Sequence, residues 1–332
     1  CLCSHAGLWG TATEKSGCAY MSFSKMPVDS IYIDRQIYSN NSTPFDGVPS
    51  IYSITIGNSV KEIGTEFSNS NVKKISIPSS INKIKTKAFQ GCQYLQYVII
   101  EDSTEPLDCD KGFIFYQCPV DSIYIGRNIT FIDNSPFKGN RELLSKVTFG
   151  NLVTEISDEE FLGHTGLKSL TLPQSLEKIG EKAFYGCKNI PAISIPSSVK
   201  EICSNAFNMC TSVKFFSIDD GTEELIFNAD NYMGNSPIDS IYLGRNIVCM
   251  DDDSPFCLIP TLASLTIGRN VTKIGNGAFA LNNKLKNVMS YSESVPETGQ
   301  YIFTNSYLTD ATLKVPYALY DEYKAKIGRA HV

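Results

Sequence analysis

The hydrophobic positions of the chain follow one short pattern that recurs along most of its length. In residues 167–189, apolar side chains stand at Leu167, Leu170 and Leu172, and again at Leu176 and Ile179. Residues 190–212 repeat this arrangement almost unchanged. Self-similarity at a period of about 20–29 residues is typical of proteins built from stacked repeats. The pattern therefore predicts a solenoid rather than a collection of unrelated helices and strands.

Each repeat contains sequence signals for one strand and for the turns that lead the chain back to the start of the next strand. The opening L-x-x-L-x-L predicts a short strand that buries alternate side chains. Pro173 ends this strand because proline has no N–H to donate to a sheet. Gly180 and Gly186 mark turns, and residues 181–184 have room for only a single helical turn. One repeat buries too few side chains to offset its backbone entropy, so neighbouring repeats must pair their strands in parallel, ~4.8 Å apart.

Twelve repeats can be aligned over residues 28–310, which we interpret as the repeat region. Repeats 4 and 9 resemble each other, as do repeats 1, 5 and 10, which indicates that whole blocks were duplicated. The repeats begin at residues 28, 51, 72, 95, 120, 145, 167, 190, 213, 238, 262 and 285.

The two ends of the chain have separate interpretations. We expect residues 1–27 to be the remainder of a truncated upstream repeat. Residues 311–326 predict a terminal strand and a capping helix, with Leu319, Tyr320 and Tyr323 as its apolar stripe, because a stack of repeats needs a cover over its open end. Residues 327–332 match nothing in the repeat, and we interpret them as a non-native tail.

Composition narrows the range of partners. The 332 residues are 42% hydrophobic and 19% charged, with a net charge of -6 at pH 7, which is typical of a soluble globular protein. The chain contains no block of basic residues, so nucleic acid and anionic membranes are not expected as partners. No apolar run approaches the ~18 residues that a membrane span requires. We expect a monomer.

The sequence predicts no catalytic site, cofactor or metal site, and thus no enzyme. The three histidines, His5, His164 and His331, are too few and too scattered for a triad or a multi-histidine metal site. The eleven cysteines include no C-x-x-C pair, and Cys92 and Cys187 occupy one repeat position. We expect these thiols to be small buried apolar side chains.

Three motifs carry a resemblance to a known family. They are I-P-S-S-[IV]-x-x-I at 77–84 and 195–202, A-F-x-G-C at 88–92 and 183–187, and D-S-I-Y-[IL]-G-R-N-I at 121–129 and 239–247. In these motifs the chain resembles the BspA-like, or treponemal-type, leucine-rich repeat surface proteins. The resemblance implies a right-handed, β-rich α/β solenoid with a parallel sheet of about 12–13 short strands and with short helical turns and loops on the other faces. It also implies location on the cell surface or secretion, and adhesion to host or neighbouring cells, including binding of extracellular-matrix proteins.

The candidate binding residues lie on the exposed face of the predicted sheet. In L-x-x-L-x-L the third and fifth positions point away from the core, and most of them are small hydroxyl residues here. Aromatic residues stand out at Tyr32, Tyr97, Tyr124, Phe215 and Tyr242. Because aromatic rings anchor interfaces and stack on sugars, we predict that they bind a protein or glycan ligand. Three alternatives stay open: tyrosine favours strands for its own sake, the binding contacts could lie on another face, and the chain could be a passive spacer that presents another domain.

Overall fold

The computed structural model describes residues 29–34, 36, 43–46, 48–228, 233–249, 255–306, 308 and 311–327. The chain divides into two compact units, residues 1–167 and 168–332. In the described part of both units, almost all regular structure consists of short β-strands. The segment 1–27 and residues 328–332, for which the sequence makes separate predictions, lie outside the described residues.

Unit 1 is a stack of coils with two parallel sheets. The first sheet has the order β1-β2-β4-β6-β8-β10, and the second has the order β3-β5-β7-β9. Every strand pair in them is parallel. A 3₁₀ turn covers Lys138–Asn140. The strands are β1 (Ser30–Ile33), β2 (Ile51–Ile56), β3 (Glu62–Ile63), β4 (Val72–Ile77), β5 (Lys83–Ile84), β6 (Tyr97–Ile100), β7 (Leu107–Cys109), β8 (Ser122–Ile125), β9 (Ile129–Phe131), β10 (Lys146–Phe149) and β11 (Glu155–Ile156).

Unit 2 repeats the same plan. Its longest sheet has the order β13-β15-β17-β19-β21-β23, and β12-β14-β16-β18 and β20-β22 form the second layer. These pairs are parallel as well. The strands are β12 (Lys178–Ile179), β13 (Ala192–Ile195), β14 (Glu201–Ile202), β15 (Phe215–Ile218), β16 (Leu225–Phe227), β17 (Ser240–Leu243), β18 (Ile247–Cys249), β19 (Ser264–Ile267), β20 (Lys273–Ile274), β21 (Asn287–Ser290), β22 (Glu297–Thr298) and β23 (Thr312–Lys314).

The parallel-strand solenoid that the sequence predicts is confirmed, with little helix. Two local details differ from the prediction. Residues 167–172, where the repeat pattern predicts a strand, carry no regular structure, and residues 181–186 form turns rather than a helical turn. The turn residues cannot continue a helix because Lys182 has a left-handed φ of 51°. In addition, Lys182 and Phe184 donate their N–H groups to carbonyls of the next coil, at 3.0 and 2.8 Å.

A ladder of stacked phenylalanine rings fills the core of unit 1. Neighbouring rings are 5.4–6.0 Å apart and within 10° of parallel. In unit 2, Phe184 stacks on Phe207 at 5.4 Å and Phe256 on Phe279 at 5.9 Å. Buried Met233 follows Phe207 in this series, where the A-F motif is missing from the sequence. The unit 1 ladder consists of Phe45, Phe67, Phe89, Phe115, Phe137 and Phe161.

The cysteine position of the repeat has a polar role that the sequence does not show. The thiols of Cys92, Cys118 and Cys210 are buried, as expected, but each donates a hydrogen bond to a phenylalanine carbonyl of the preceding coil. Ser236 donates its hydroxyl to a different carbonyl of the preceding coil, that of Cys210, at 2.8 Å. The thiols are therefore small buried side chains, as the sequence predicts, and they also satisfy backbone groups of the neighbouring coil.

This hydrogen bond can be tested at Cys118, whose Sγ lies 2.8 Å from the carbonyl oxygen of Phe89. Serine and alanine remove a similar volume, but only serine keeps a donor. We expect Cys118→Ser to be more stable than Cys118→Ala by about 1 kcal/mol in urea denaturation. If the position required only an apolar side chain, alanine would be the more stable of the two, since a buried hydroxyl without a partner is costly.

A short helix follows the last described strand of unit 2. A 3₁₀ turn at Tyr317–Leu319 leads into α1 (Tyr320–Ile327). Tyr323 is buried, and its hydroxyl lies 2.7 Å from Ser290 Oγ and 2.8 Å from Ser292 Oγ. Of the predicted apolar stripe Leu319, Tyr320 and Tyr323, only Tyr323 is buried, so the helix is attached mainly through this hydroxyl cluster.

Candidate ligand-binding face

The outward side chains of the long sheet in each unit form two parallel rows. Strand register places the third and fifth positions of successive repeats side by side, so each row crosses the strands at ~4.8 Å intervals. In unit 1 the rows are Ser30, Ser53, Lys74, Tyr97, Ser122, Lys146 and Tyr32, Thr55, Ser76, Ile99, Tyr124, Thr148. In unit 2 they are Ala192, Phe215, Ser240, Ser264, Asn287, Thr312 and Ser194, Ser217, Tyr242, Thr266, Met289, Lys314.

All five aromatic residues that the sequence singles out lie in these rows. Tyr32, Tyr97 and Phe215 are 42%, 50% and 42% exposed, whereas Tyr124 and Tyr242 are half-buried. Tyr97 and Tyr124 stand on adjacent strands, and so do Phe215 and Tyr242. Because Tyr97 is opposite Ser122 and Phe215 is opposite Ser240, the members of each pair occupy diagonal positions on the sheet. Tyr32 lies on β1, apart from the unit 1 pair.

The half-buried tyrosine of each pair is fixed by a carboxylate that the sequence analysis does not single out. Tyr124 Oη donates to Asp102 Oδ1 at 2.8 Å, and Tyr242 Oη donates to Asp220 Oδ1 at 2.7 Å. The bond to Asp102 raises the pKa of Tyr124. Burial, followed by the bond to Asp220, raises the pKa of Tyr242 to about 12. Both phenols therefore remain protonated donors at neutral pH, and both rings are held in one orientation.

A glycine allows each tyrosine–aspartate contact to lie close against the backbone of the next coil. A Cβ atom at Gly150 would lie 2.6 Å from Tyr124 Oη, and one at Gly268 would lie 2.9 Å from Tyr242 Oη and 2.7 Å from Asp220 Oδ1. Real Cβ atoms do not approach that closely, so a larger residue would displace the contact. Gly150 and Gly268 therefore lie next to the carboxylates of Asp102 and Asp220, respectively.

Further acidic residues orient the hydroxyl groups of the face. Ser76 Oγ donates to Glu101 at 2.8 Å, and Ser194 Oγ donates to Asp219 at 3.0 Å. Each of these acids directly precedes the aspartate that holds the tyrosine. The face of each unit thus combines exposed aromatic rings with hydroxyl and carboxylate groups in fixed positions.

A buried arginine anchors the strand that carries each half-buried tyrosine. Arg127 is 0% exposed and donates to the carbonyls of Pro78 at 2.9 Å and Ile81 at 2.8 Å, two coils earlier. Arg245, 1% exposed, makes the matching contacts to Pro196 at 3.0 Å and Val199 at 2.7 Å. The arginine of the G-R-N motif therefore bonds to the I-P-S-S motif.

The asparagine that follows extends the anchoring to the next coil. Asn128 Oδ1 accepts from the backbone N–H groups of Thr154 and Glu155, at 2.8 and 3.1 Å. Asn246 does the same for Thr272 and Lys273, at 2.9 and 3.0 Å. The tyrosine strand is thus tied to the coils on both sides, which makes the candidate face rigid.

Two strongly perturbed titratable groups lie in the core rather than on this face. Burial lowers the pKa of His164 to about 4 and raises the pKa of Glu160 to about 8. Within the described part of the chain, no group of three or more His, Cys, Asp or Glu residues is arranged to hold a metal ion. The same residues include no helix with the length and apolar character to cross a membrane.

Stacked coils with parallel strands in register, L-x-x-L-x-L segments and a buried phenylalanine in most coils define a leucine-rich repeat solenoid. The chain belongs to the family described as the BspA type leucine-rich repeat region: the family model matches residues 19–144, 140–254 and 252–323, with six copies. The resemblance inferred from the motifs is therefore confirmed.

Solved structures of several bacterial repeat proteins are similar to the chain. A leucine-rich repeat protein from Bacteroides ovatus is 17% identical, with 92% of this chain and 97% of that chain covered and a TM-score of 0.40. A leucine-rich cell surface protein from Faecalibacterium prausnitzii is 22% identical over 89% of this chain and 85% of its own, with a TM-score of 0.34. The T. pallidum leucine-rich repeat protein TpLRR is 18% identical, covering 80% and 86%, with a TM-score of 0.32. No curated protein matches the sequence.

Proposed function

We propose that the chain is a cell-surface or secreted interaction protein that binds a protein or glycan partner through the exposed sheet face of its units. Its role would be adhesion to host or neighbouring cells, with extracellular-matrix proteins among the candidate partners. Membership of the BspA-type family supports an interaction role. The observation that carries the proposal is the placement of exposed aromatic rings on a rigid, hydroxyl-rich sheet.

Rigidity and ring exposure both favour binding. Aromatic side chains bring a large contact area at a small cost in conformational entropy, and they dominate the energy of many interfaces. Tyr97 and Phe215 are exposed enough for direct contact, while the aspartate bonds hold Tyr124 and Tyr242 in place beforehand. When the side chains of a surface are already ordered before the partner binds, less conformational entropy is lost on binding.

The described residues offer better support for binding than for catalysis. His164 is fully buried, as is Glu160, so neither can reach a substrate on the surface. The S-x-x-K segments at Ser80–Lys83 and Ser175–Lys178 occur at one repeat position, as parts of the solenoid consensus. We therefore propose a binding protein and not an enzyme.

The proposal is tested by replacing Tyr32, Tyr97, Tyr124, Phe215 and Tyr242 together by serine. Binding to immobilised extracellular-matrix proteins and to mucin should weaken about tenfold or more, because the ring contacts are lost. The readout is surface plasmon resonance, with circular dichroism to verify the fold. Matched controls are Tyr94→Ser and Tyr317→Ser, since these tyrosines are 53% and 97% exposed but lie outside the strands.

Two results would count against the proposal. Unchanged binding of the fivefold variant would show that partners attach to another face. Failure of the wild-type protein to bind any of these targets would favour the alternative of a passive spacer that presents another domain. For location, antibodies against the chain should label intact producing cells or detect the protein in the culture medium, and detection only after lysis would contradict the proposal.

A further inference from the structure

The candidate face contains one set of side chains twice, once in each unit. Tyr124 and Tyr242 are 118 residues apart, as are Asp102 and Asp220. The same offset relates the exposed ring of Tyr97 to that of Phe215, and it relates the remaining members of the set. These pairs are Ser76 and Ser194, Ser122 and Ser240, Gly126 and Gly244, and Gly150 and Gly268.

We propose that each copy of this set is a carbohydrate-binding site that takes a neutral oligosaccharide of two or three pyranose units, so that the chain binds two equivalents of the same glycan. This inference rests on the function proposed above and specifies the class of ligand. Site 1 consists of Tyr97, Tyr124 and Asp102, and site 2 consists of Phe215, Tyr242 and Asp220. In each site the exposed ring stacks on the C–H face of one pyranose, and the aspartate, five residues further along the chain, accepts a hydrogen bond from a hydroxyl of a following pyranose.

The exposed ring acts by stacking and not through a polar group. Tyr97 in site 1 corresponds to Phe215 in site 2, so the feature that the two sites share is the flat apolar ring, which is 50% and 42% exposed. The ring stands on a strand that is hydrogen-bonded on both sides. A fixed ring with small hydroxyl neighbours suits the flat face of a pyranose, which presents C–H groups to the ring and hydroxyls at its rim.

Each aspartate has one oxygen that remains available for a ligand. Oδ1 of Asp102 is occupied by Tyr124 Oη and Oδ1 of Asp220 by Tyr242 Oη. No described residue donates to Oδ2 of either carboxylate, and both aspartates are exposed. A hydrogen bond from a sugar hydroxyl to a carboxylate is charge-assisted and therefore strong.

The charges around the two sites favour a neutral ligand. Lys74 pairs in register with Tyr97, and Lys146 follows one strand beyond Tyr124, whereas site 2 has Ala192 and Ser264 at these positions. A cationic group would meet Lys74 beside the ring of site 1. An anionic group would approach the carboxylates in both sites, where like charges repel. A neutral sugar is compatible with both environments.

The experiment combines a glycan array with calorimetry on the full chain. The array contains neutral gluco-, manno- and galacto-oligosaccharides, together with polygalacturonate as an anionic probe and chitosan oligosaccharides as cationic probes. We expect neutral oligosaccharides to be bound in preference to both charged classes. Isothermal titration of the best neutral binder should give about two sites per chain. Tyr97→Ser and Phe215→Ser should each leave about one site, and the double variant should bind at least tenfold more weakly or not at all.

Two further variants separate stacking from general effects on the fold. Tyr97→Phe gives site 1 the phenylalanine ring that site 2 has naturally. This variant should therefore still bind the glycan at about two sites per chain. Tyr94→Ser removes an exposed ring outside the strands and should change nothing. The inference is overturned if no neutral glycan binds, if charged probes are preferred, if one single variant abolishes all binding, or if the double variant binds like wild type.

Failure of this inference can be distinguished from failure of the proposed function. If matrix proteins or mucin bind and the fivefold variant loses that binding while the neutral array is blank, the face binds a protein and the carbohydrate sites are excluded. If the wild-type chain binds neither proteins nor glycans, both proposals fail.

Discussion

Replacing Arg127 by methionine is expected to lower the free energy of unfolding by roughly 2–4 kcal/mol. The guanidinium is fully buried and donates to the carbonyls of Pro78, Ser79 and Ile81, at 2.9, 3.3 and 2.8 Å. Methionine has a similar length but no donor, so these carbonyls lose their partner, at a cost of about 1–3 kcal/mol for each group that stays unsatisfied. Part of this loss is offset, because burial already disfavours the charged arginine and lowers its pKa.

Urea denaturation measures this effect, and the chain offers a matched control. Arg269 occupies the same place in a G-R-N triplet but is exposed, so Arg269→Met should change stability by less than about 0.5 kcal/mol. Arg245→Met should behave like Arg127→Met, because its contacts are equivalent. Arg127→Lys should recover little of the lost free energy of unfolding. A single ammonium group cannot replace the planar guanidinium, whose N–H groups donate to several carbonyls at once. Wild-type stability for Arg127→Met would refute the anchoring role.

Replacing Glu160 by glutamine is expected to stabilise the protein increasingly as the pH rises from 5 to 8.5. The carboxyl is 2% exposed, and burial raises its pKa to about 8. Between about pH 4.5 and 8 the folded state therefore holds a proton that the unfolded state has released, so the free energy of unfolding of the wild type falls with pH. Glutamine does not titrate, and its side-chain oxygen can still accept from the N–H of Ser157, as Glu160 does at 2.8 Å.

The expected difference between this variant and wild type is below about 1 kcal/mol at pH 5 and reaches roughly 4–5 kcal/mol at pH 8.5, from about 1.4 kcal/mol per pH unit. Nearby Glu155 adds to the shift in the same direction, and neighbouring His164 stays neutral in this range because its pKa is about 4. Urea denaturation at several pH values is the measurement. Exposed Glu142→Gln is the control and should show no such trend. A pH-independent difference for Glu160→Gln would contradict the assignment.

Sequence periodicity predicted much of the candidate face, but not its chemistry. Tyr97 and Tyr124 could be placed on the outer side of a sheet because side chains alternate along a strand and the repeat aligns successive strands. Asp102 could not be identified in this way. It lies 22 residues from Tyr124 and directly after the strand of the preceding coil, and only the register between coils brings the two together. A usable signal was the recurrence of an aspartate at the same distance before both tyrosines.

The A-F position shows why a local pattern was insufficient in the core as well. Glu160 stands in the place where other coils have alanine, as at Ala88 and Ala183, and no sequence pattern predicts a fully buried carboxyl there. The pKa of Glu160 depends on how completely the surrounding coils exclude water. That is a property of the packing of the coils and not of the residues adjacent in the sequence.

By itself, the sequence determined the solenoid, the parallel sheet and the family, because a repeated pattern of apolar side chains has a low free energy only when equivalent coils stack on one another. The tertiary structure alone decided the second layer of two- and three-residue strands, the left-handed turns, and the contacts of Arg127 with a motif 46–49 residues away. Those features depend on hydrogen bonds between coils, and their partners are fixed by stacking register, which no segment of the chain specifies on its own.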